Sequence, residues 1–303
     1  MNSEQLSYKN IHSGFYNTTR RYLFVLLRFS MIPFFAREII QRNKVTILVY
    51  HKIDFKLADI HFKALKSIYN IIPLHEYLSA RKNGEVHLLP KKSLIVTFDD
   101  GHKTNYSLKS IINKYEMPVT LFLCSRIVGT NRHYWFENNG KDNNRILKKI
   151  SDCDRLKILK ENGFEEETEY PDRQALSDEE LEDMKNLVEY QSHTMFHPIL
   201  TKCSDKKSFE EIHKSKIDLE IRLNKTIYAI AYPNGNYSER EISYTKKAGY
   251  ECGLTLDPGF NSQNTDLYKL RRICIYDEGD IHELIVKASG LWDYIKIYLL
   301  KKN

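Results

Sequence analysis

From Lys44 onward the chain alternates short continuous apolar runs with longer stretches whose apolar residues recur every three or four positions. The runs at residues 45–50, 93–98, 119–124, 227–231 and 252–256 predict strands. Helical spacing is found at 59–69, 106–114, 178–188, 209–223 and 239–248. Two of these helices announce their starts: Ser177 stands three residues before Glu180, a capping-box spacing, and Ser238 precedes Glu-Arg-Glu in the same way. Strand-then-helix alternation of this kind points to a parallel sheet, either closed into a barrel or doubly wound.

Two stretches break the rhythm. Residues 131–173 are highly charged and poor in β-branched residues, and read as a helical insertion. Residues 22–36, YLFVLLRFSMIPFFA, are strongly apolar and follow Arg20 and Arg21. Arg28 and Pro33 interrupt them, leaving far less than the roughly 20 residues a spanning helix needs. They also lack a small-x-small cleavage site. Two readings stay open, a helix lying in a membrane interface and a helix packed on the domain. The expected organisation is therefore an apolar, basic helical segment over residues 1–43, followed by one domain over 44–303 that carries the insertion.

Composition narrows the class. Of 303 residues 42% are hydrophobic and 28% charged, which suits a soluble globular protein with a substantial core. The net charge of +6 is spread as Lys-Lys and Arg-Arg pairs instead of being gathered in one arm. That pattern argues against a nucleic-acid partner, and it suits an anionic membrane surface or a glycan. The five cysteines are odd in number, widely spaced and without a C-x-x-C pair, so a disulfide framework is not expected. A reducing, cytoplasmic compartment follows, with residues 20–40 available for peripheral contact on the inner face of a membrane.

Three segments can carry chemistry. In LIVTFDDG an apolar run stops at Asp99 and Asp100, at the strand end where α/β folds place reactive groups. In QSHTMFHP, His193 and His197 stand four apart, one helical turn, and can point at one ion. One carboxylate and two imidazoles make a three-ligand set that leaves positions open for water and substrate, with the second carboxylate free to act as a base. In AYPNG a strand ends in Pro233-Asn234-Gly235, ordinary turn chemistry unless its backbone N–H groups face the same rim.

Taken in order, ILVYHKI, TFDDG, VTLFL, HTMFHP, AYPNG and LRRI resemble the polysaccharide deacetylases that share the homology domain of the nodulation chitooligosaccharide deacetylase. The resemblance runs from about Val45 to Tyr276 and implies a distorted, incomplete (β/α) barrel. It implies that Asp100, His193 and His197 hold a divalent metal, most simply zinc, and that Asp99 is the base. It places Asn234 where a backbone N–H stabilises an oxyanion, with Tyr232 and Pro233 beside the substrate. Two positions depart from the family. The arginine that often stands two residues before the motif proline is Ala231 here, and Arg272 is the candidate replacement. The late Leu-x-His motif is absent, since His282 falls in an amphipathic helix, which leaves His51 as the reserve proton donor. Trp135, between Tyr134 and Phe136, is a candidate platform for a sugar ring. The implied substrate is an N-acetylhexosamine unit of a surface polysaccharide or its lipid-linked precursor. Hydrolysis of a small non-sugar amide, non-catalytic glycan binding and glycosyl transfer are the competing readings.

Overall fold

The computed structural model describes residues 18–137 and 140–300; the rest of the predicted N-terminal segment, residues 1–17, lies outside the described residues. The strands are β1 (Thr46–Tyr50), β2 (Asn70–Ile71), β3 (Ser93–Phe98), β4 (Val119–Leu123), β5 (Val188–Ser192), β6 (Ala229–Ala231), β7 (Cys252–Leu254) and β8 (Ile273–Cys274). They form one sheet in the order β7-β6-β5-β4-β3-β1-β8, with β2 paired to β3, and every pair is parallel. Parallel pairing requires crossovers, and helices supply most of them. These are α2 (Phe55–Ile68), α3 (Leu74–Asn83), α4 (Lys109–Lys114), α5 (Gly140–Leu147), α6 (Asp152–Glu161), α7 (Asp178–Met184), α8 (Asp205–Leu223) and α9 (Glu239–Lys247). A first helix, α1, spans 18–29, and α10 (Ile281–Ala288) and α11 (Leu291–Leu300) end the described chain.

Strands β1, β3 and β4 are buried along their whole length because both sheet faces are covered. Alternate residues go to different cores. Ile47, Ile95, Phe122, Ala231 and Leu254 share one cluster, whereas Leu48, Val96, Leu121 and Ile230 join another with Phe62 and Leu65 of α2. The sheet edges are joined by irregular chain. Thr255 N–H donates to the Leu270 carbonyl (2.8 Å), Leu270 N–H donates to the Gly253 carbonyl (2.9 Å), and the chain then enters β8 at Ile273. The fold is thus the curled, incomplete (β/α) barrel that the alternation and the resemblance predict.

One predicted element differs. The helix expected over 178–188 ends at Met184, and β5 begins at Val188. Its polar residues are buried with partners: Gln191 Oε1 accepts from Tyr228 and Ala229 N–H, and Ser192 Oγ meets Ser215 Oγ at 2.7 Å. The capping box at Ser177 and Glu180 is present, and Ser238 Oγ accepts from Arg240 N–H.

Helix α1 packs one face on the C-terminal helices. Arg20 Nη2 holds the Glu283 carboxylate at 2.6 and 2.7 Å, and Phe24 lies 4.8 Å from Trp292 between ring centroids. Among the described residues no helix is long and apolar enough to cross a membrane.

Candidate metal and hydrolytic site

Strand β3 aims the site. Ile95 and Thr97 face the barrel interior, and Asp99 continues that series at the strand's carboxyl end. A regular strand would send Asp100 to the opposite face. Instead Asp100 and Gly101 take left-handed conformations (φ 73° and 75°), and the turn brings both carboxylates to one imidazole. His193 Nε2 lies 3.8 Å from Asp99 Oδ2 and 3.5 Å from Asp100 Oδ1. Glycine is required at 101, where a Cβ would stand 2.6 Å from Leu123 Cδ2.

The two histidines do not lie on a helix, contrary to the reading of their spacing. They follow β5 in a loop whose Thr194 and His197 have φ of 68° and 59°. Side chains stabilise that loop in place of a helical ladder. Glu211 of α8 accepts from Met195 and Phe196 N–H (2.9 and 3.0 Å), and Thr194 Oγ1 accepts from His197 N–H (3.2 Å). His193 Nδ1 donates to the Ala231 carbonyl at 2.8 Å, which fixes the tautomer and leaves Nε2 facing the carboxylates.

Asp100, His193 and His197 are all buried, with one ligand atom from each lying within 4.8 Å of the others. Asp100 Oδ1 is 3.5 Å from His193 Nε2 and 3.4 Å from His197 Nε2, and within the protein it has no hydrogen-bond partner. Ligands each about 2.1 Å from a tetrahedral ion sit about 3.4 Å apart, so this set fits a zinc-sized cation.

Asp99 has a different environment. Arg272, fully buried just before β8, grips it with Nη1 on Oδ1 (2.7 Å) and Nη2 on Oδ2 (2.8 Å), while its Nε donates to the Thr255 carbonyl. Burial by itself would raise the Asp99 carboxyl, but the charge and hydrogen bonds of Arg272, with help from His193 and His51, hold it far below the usual carboxylate range. Asp100 has no such grip, and burial raises it. Two adjacent carboxylates are thereby made unlike, one held as an anion by Arg272 and the other raised by burial.

His51, at the end of β1, contributes charge to both carboxylates. Its N–H donates to Asp277 Oδ1 (3.1 Å) and its carbonyl accepts from Asn105 Nδ2 (2.8 Å). Asn234 has φ 56° in the turn Pro233–Gly235, a left-handed value that asparagine tolerates. His282 is engaged elsewhere, by Arg28 and Phe29 of α1.

The three residues expected to contact sugar are buried: Trp135 and Tyr232 are 1% and 0% exposed, and Pro233 is buried beside Tyr232. Trp135 supports the site from behind: its Nε1 donates to the His197 carbonyl at 2.8 Å, and Arg155 lies over its ring at 4.5 Å. Tyr232 is drawn inward because its hydroxyl donates to the Tyr268 carbonyl.

Several supports escape sequence reasoning. The insertion forms a wall of the site. Tyr134 OH donates to the Asp100 carbonyl (2.8 Å), the Phe136 ring lies 4.7 Å from that of His197, and Lys148 Nζ donates to Asn234 Oδ1 (2.7 Å). Lys148 is also within electrostatic reach of Asp100. Glu211 reads in sequence as one more charge on an amphipathic helix; its burial beside Ile212, Ser215 and Leu219 was the available signal.

Burial raises the Glu211 carboxyl to about 8, with Glu166 adding to the shift and the two N–H donors opposing it. A folded value above the unfolded one means that this residue's stabilisation is complete below the unfolded value of 4.5 and is lost as pH rises through about 8. Glu211→Gln, which stays neutral, should therefore gain on the wild type across that window. The gap in Tm is expected to widen towards alkaline pH, and equal Tm profiles would contradict the assignment.

An arginine-held carboxylate thus stands beside an Asp-His-His set at the strand ends of a curled (β/α) barrel, the groups a metal-assisted hydrolase would need. Residues 88–253 match the polysaccharide deacetylase family, and the chain belongs to that family. It is 28% identical over 223 residues to the poly-β-1,6-N-acetyl-D-glucosamine N-deacetylase of Staphylococcus aureus, covering 73% of this chain and 65% of that protein. It is 23% identical over 185 residues to YxkH of Bacillus subtilis, covering 60% of this chain and 51% of that protein. The chain therefore spans between half and two-thirds of these relatives' lengths. In solved structures the same fold occurs in the Streptococcus pyogenes deacetylase PplD in complex with acetate (TM-score 0.61, 22% identity, 81% of this chain and 98% of that one). It also occurs in IcaB from Ammonifex degensii (TM-score 0.60, 16% identity, 83% and 98%).

Proposed function

We propose that this carbohydrate deacetylase is a metal-dependent N-deacetylase acting on N-acetylhexosamine units of a surface polysaccharide or its lipid-linked precursor. The observation that carries the reading is the unpartnered Asp100 Oδ1 facing two imidazole nitrogens, next to a carboxylate that Arg272 keeps ionised. Asp100, His193 and His197 would hold the ion, with zinc the proposed metal. When bound, it supplies Lewis-acid polarisation of the acetamide carbonyl and makes water more acidic.

The chain's own groups do the rest. Asp99 takes a proton from the attacking water as its oxygen bonds to the carbonyl carbon. The Asn234 backbone N–H stabilises the developing oxyanion. The C–N bond then breaks, its electron pair stays on nitrogen, and His51 protonates the leaving amine, releasing acetate. Arg272 supports catalysis over mere glycan binding, because it replaces the arginine missing at Ala231. The cysteines, none of them paired, support a reducing compartment, and we place the enzyme at the inner face of a membrane.

The test is direct. The wild-type protein should release acetate from an N-acetylated glycan and carry one divalent ion. Replacing both His193 and His197 by Ala should abolish ion binding and reduce acetate release to background. Acetate release that persists after chelation or in the double variant would overturn the metal assignment.

A further inference from the structure

We infer that the outward face of α1, together with residues 31–40, is a docking surface for an anionic lipid bilayer. Of the 21 large hydrophobic residues exposed among the described residues, ten lie between positions 22 and 40, and three more, Tyr294, Ile297 and Tyr298, lie on the neighbouring α11. Such clustering is not the scatter of single apolar residues found on ordinary surfaces. Tyr22, Leu26 and Phe29 are 67–70% exposed at i, i+4 and i+7, so they form one stripe, opposite the Arg20 and Phe24 side that packs on the domain. Beyond the helix, Phe34, Phe35 and Ile39 continue the apolar surface.

Charge selects the occupant. Residues 18–44 hold six basic side chains against one acidic, Glu38; Arg20, Arg21 and Arg37 are paired with Glu283, Asp280 and Glu38, whereas Arg28, Arg42 and Lys44 have no carboxylate partner among the described residues. Two copies meeting through this face would bring like charges together, whereas an anionic bilayer accepts both the apolar stripe and the cations. Cations and aromatic rings lie side by side along this face, Arg28 over Phe29 at 5.4 Å and Arg37 over Phe34 at 5.4 Å. At 12 residues α1 is about 18 Å long, so it lies on the bilayer and does not span it.

The surface adjoins the catalytic rim. A cavity of about 560 Å³ separates α1 from the loop after β8, lined by Arg20, Leu23, Tyr276, Asp277 and Trp292. Asp277 of that loop is the residue that holds the His51 N–H. Docking thus brings the mouth of the site close to the lipid headgroups, where a lipid-linked glycan would be presented, a consequence that rests on the proposed function; the docking itself does not.

The experiment is co-sedimentation of the full chain with phosphatidylcholine vesicles made with and without phosphatidylglycerol, read without any substrate. The protein should bind the anionic vesicles and release partly at high salt. Tyr22→Glu combined with Leu26→Glu should weaken binding at least tenfold, with an unchanged melting curve and unchanged acetate release from a soluble glycan. Three results would overturn the proposal: no preference for anionic vesicles, a stable dimer that the double variant splits, or binding that appears only when residues 1–17 are deleted, meaning that they cover the face. Loss of acetate release in the wild type would sink the proposed function and leave this inference standing.

Discussion

Asp99→Asn is expected to lower acetate release by roughly 10²- to 10⁴-fold while leaving the bound ion in place. The amide preserves the shape of the carboxylate but cannot take a proton from water, and it leaves the buried Arg272 guanidinium without its counter-ion. Measuring kcat at saturating substrate together with metal content separates loss of the base from loss of the site. Hydrolysis at the wild-type rate in this variant would refute the assignment of Asp99.

Arg272→Leu should have the largest effect on stability. Removing one partner of a buried ion pair strands the other charge and typically costs about 3–5 kcal/mol. In the wild type the depressed Asp99 value stabilises the fold above its unfolded value of 3.8, and this contribution is lost as pH falls towards the folded one. Without Arg272, burial is opposed only by the weaker pull of His193 and His51, and the carboxyl rises. Denaturant melts should show the stability loss, and the pH–rate profile should recover towards alkaline pH. A loss of rate with unchanged pH dependence would mean that Arg272 only braces the segment it belongs to. Lysine should not rescue it, because a point charge cannot replace the two-pronged grip on both oxygens.

Much of the fold was legible because β1, β3, β4, β6 and β7 are continuous apolar runs, as strands buried on both faces must be. β5 was not, because Val-Glu-Tyr-Gln-Ser looks half-exposed until Gln191 and Ser192 are seen to be satisfied from β6 and α8. At the site, Asp99, Asp100, His193 and His197 were visible as motifs, and Arg272 as the cation available in LRRI. The loop geometry of the histidines was hidden, since an i, i+4 spacing reads as a helix and Glu211, which stabilises the alternative, lies on a distant segment. The burial of Trp135 and Tyr232 was hidden for a related reason: an aromatic residue near a motif has the same sequence signature whether it is exposed beside the site or packs beneath the loop.

The irregular chain that joins the sheet edges also has a consequence for how the protein is made. Asp99 and Arg272 are 173 positions apart, so during synthesis the carboxylate is translated long before the guanidinium that does most to offset its burial. The region that matches the family, residues 88–253, omits β1, β8 and Arg272 alike. A fragment cut to those limits would keep the TFDDG, HTMFHP and AYPNG motifs and have no seat for Asp99. The smallest unit able to mature is therefore larger than the part of the sequence by which its family is recognised.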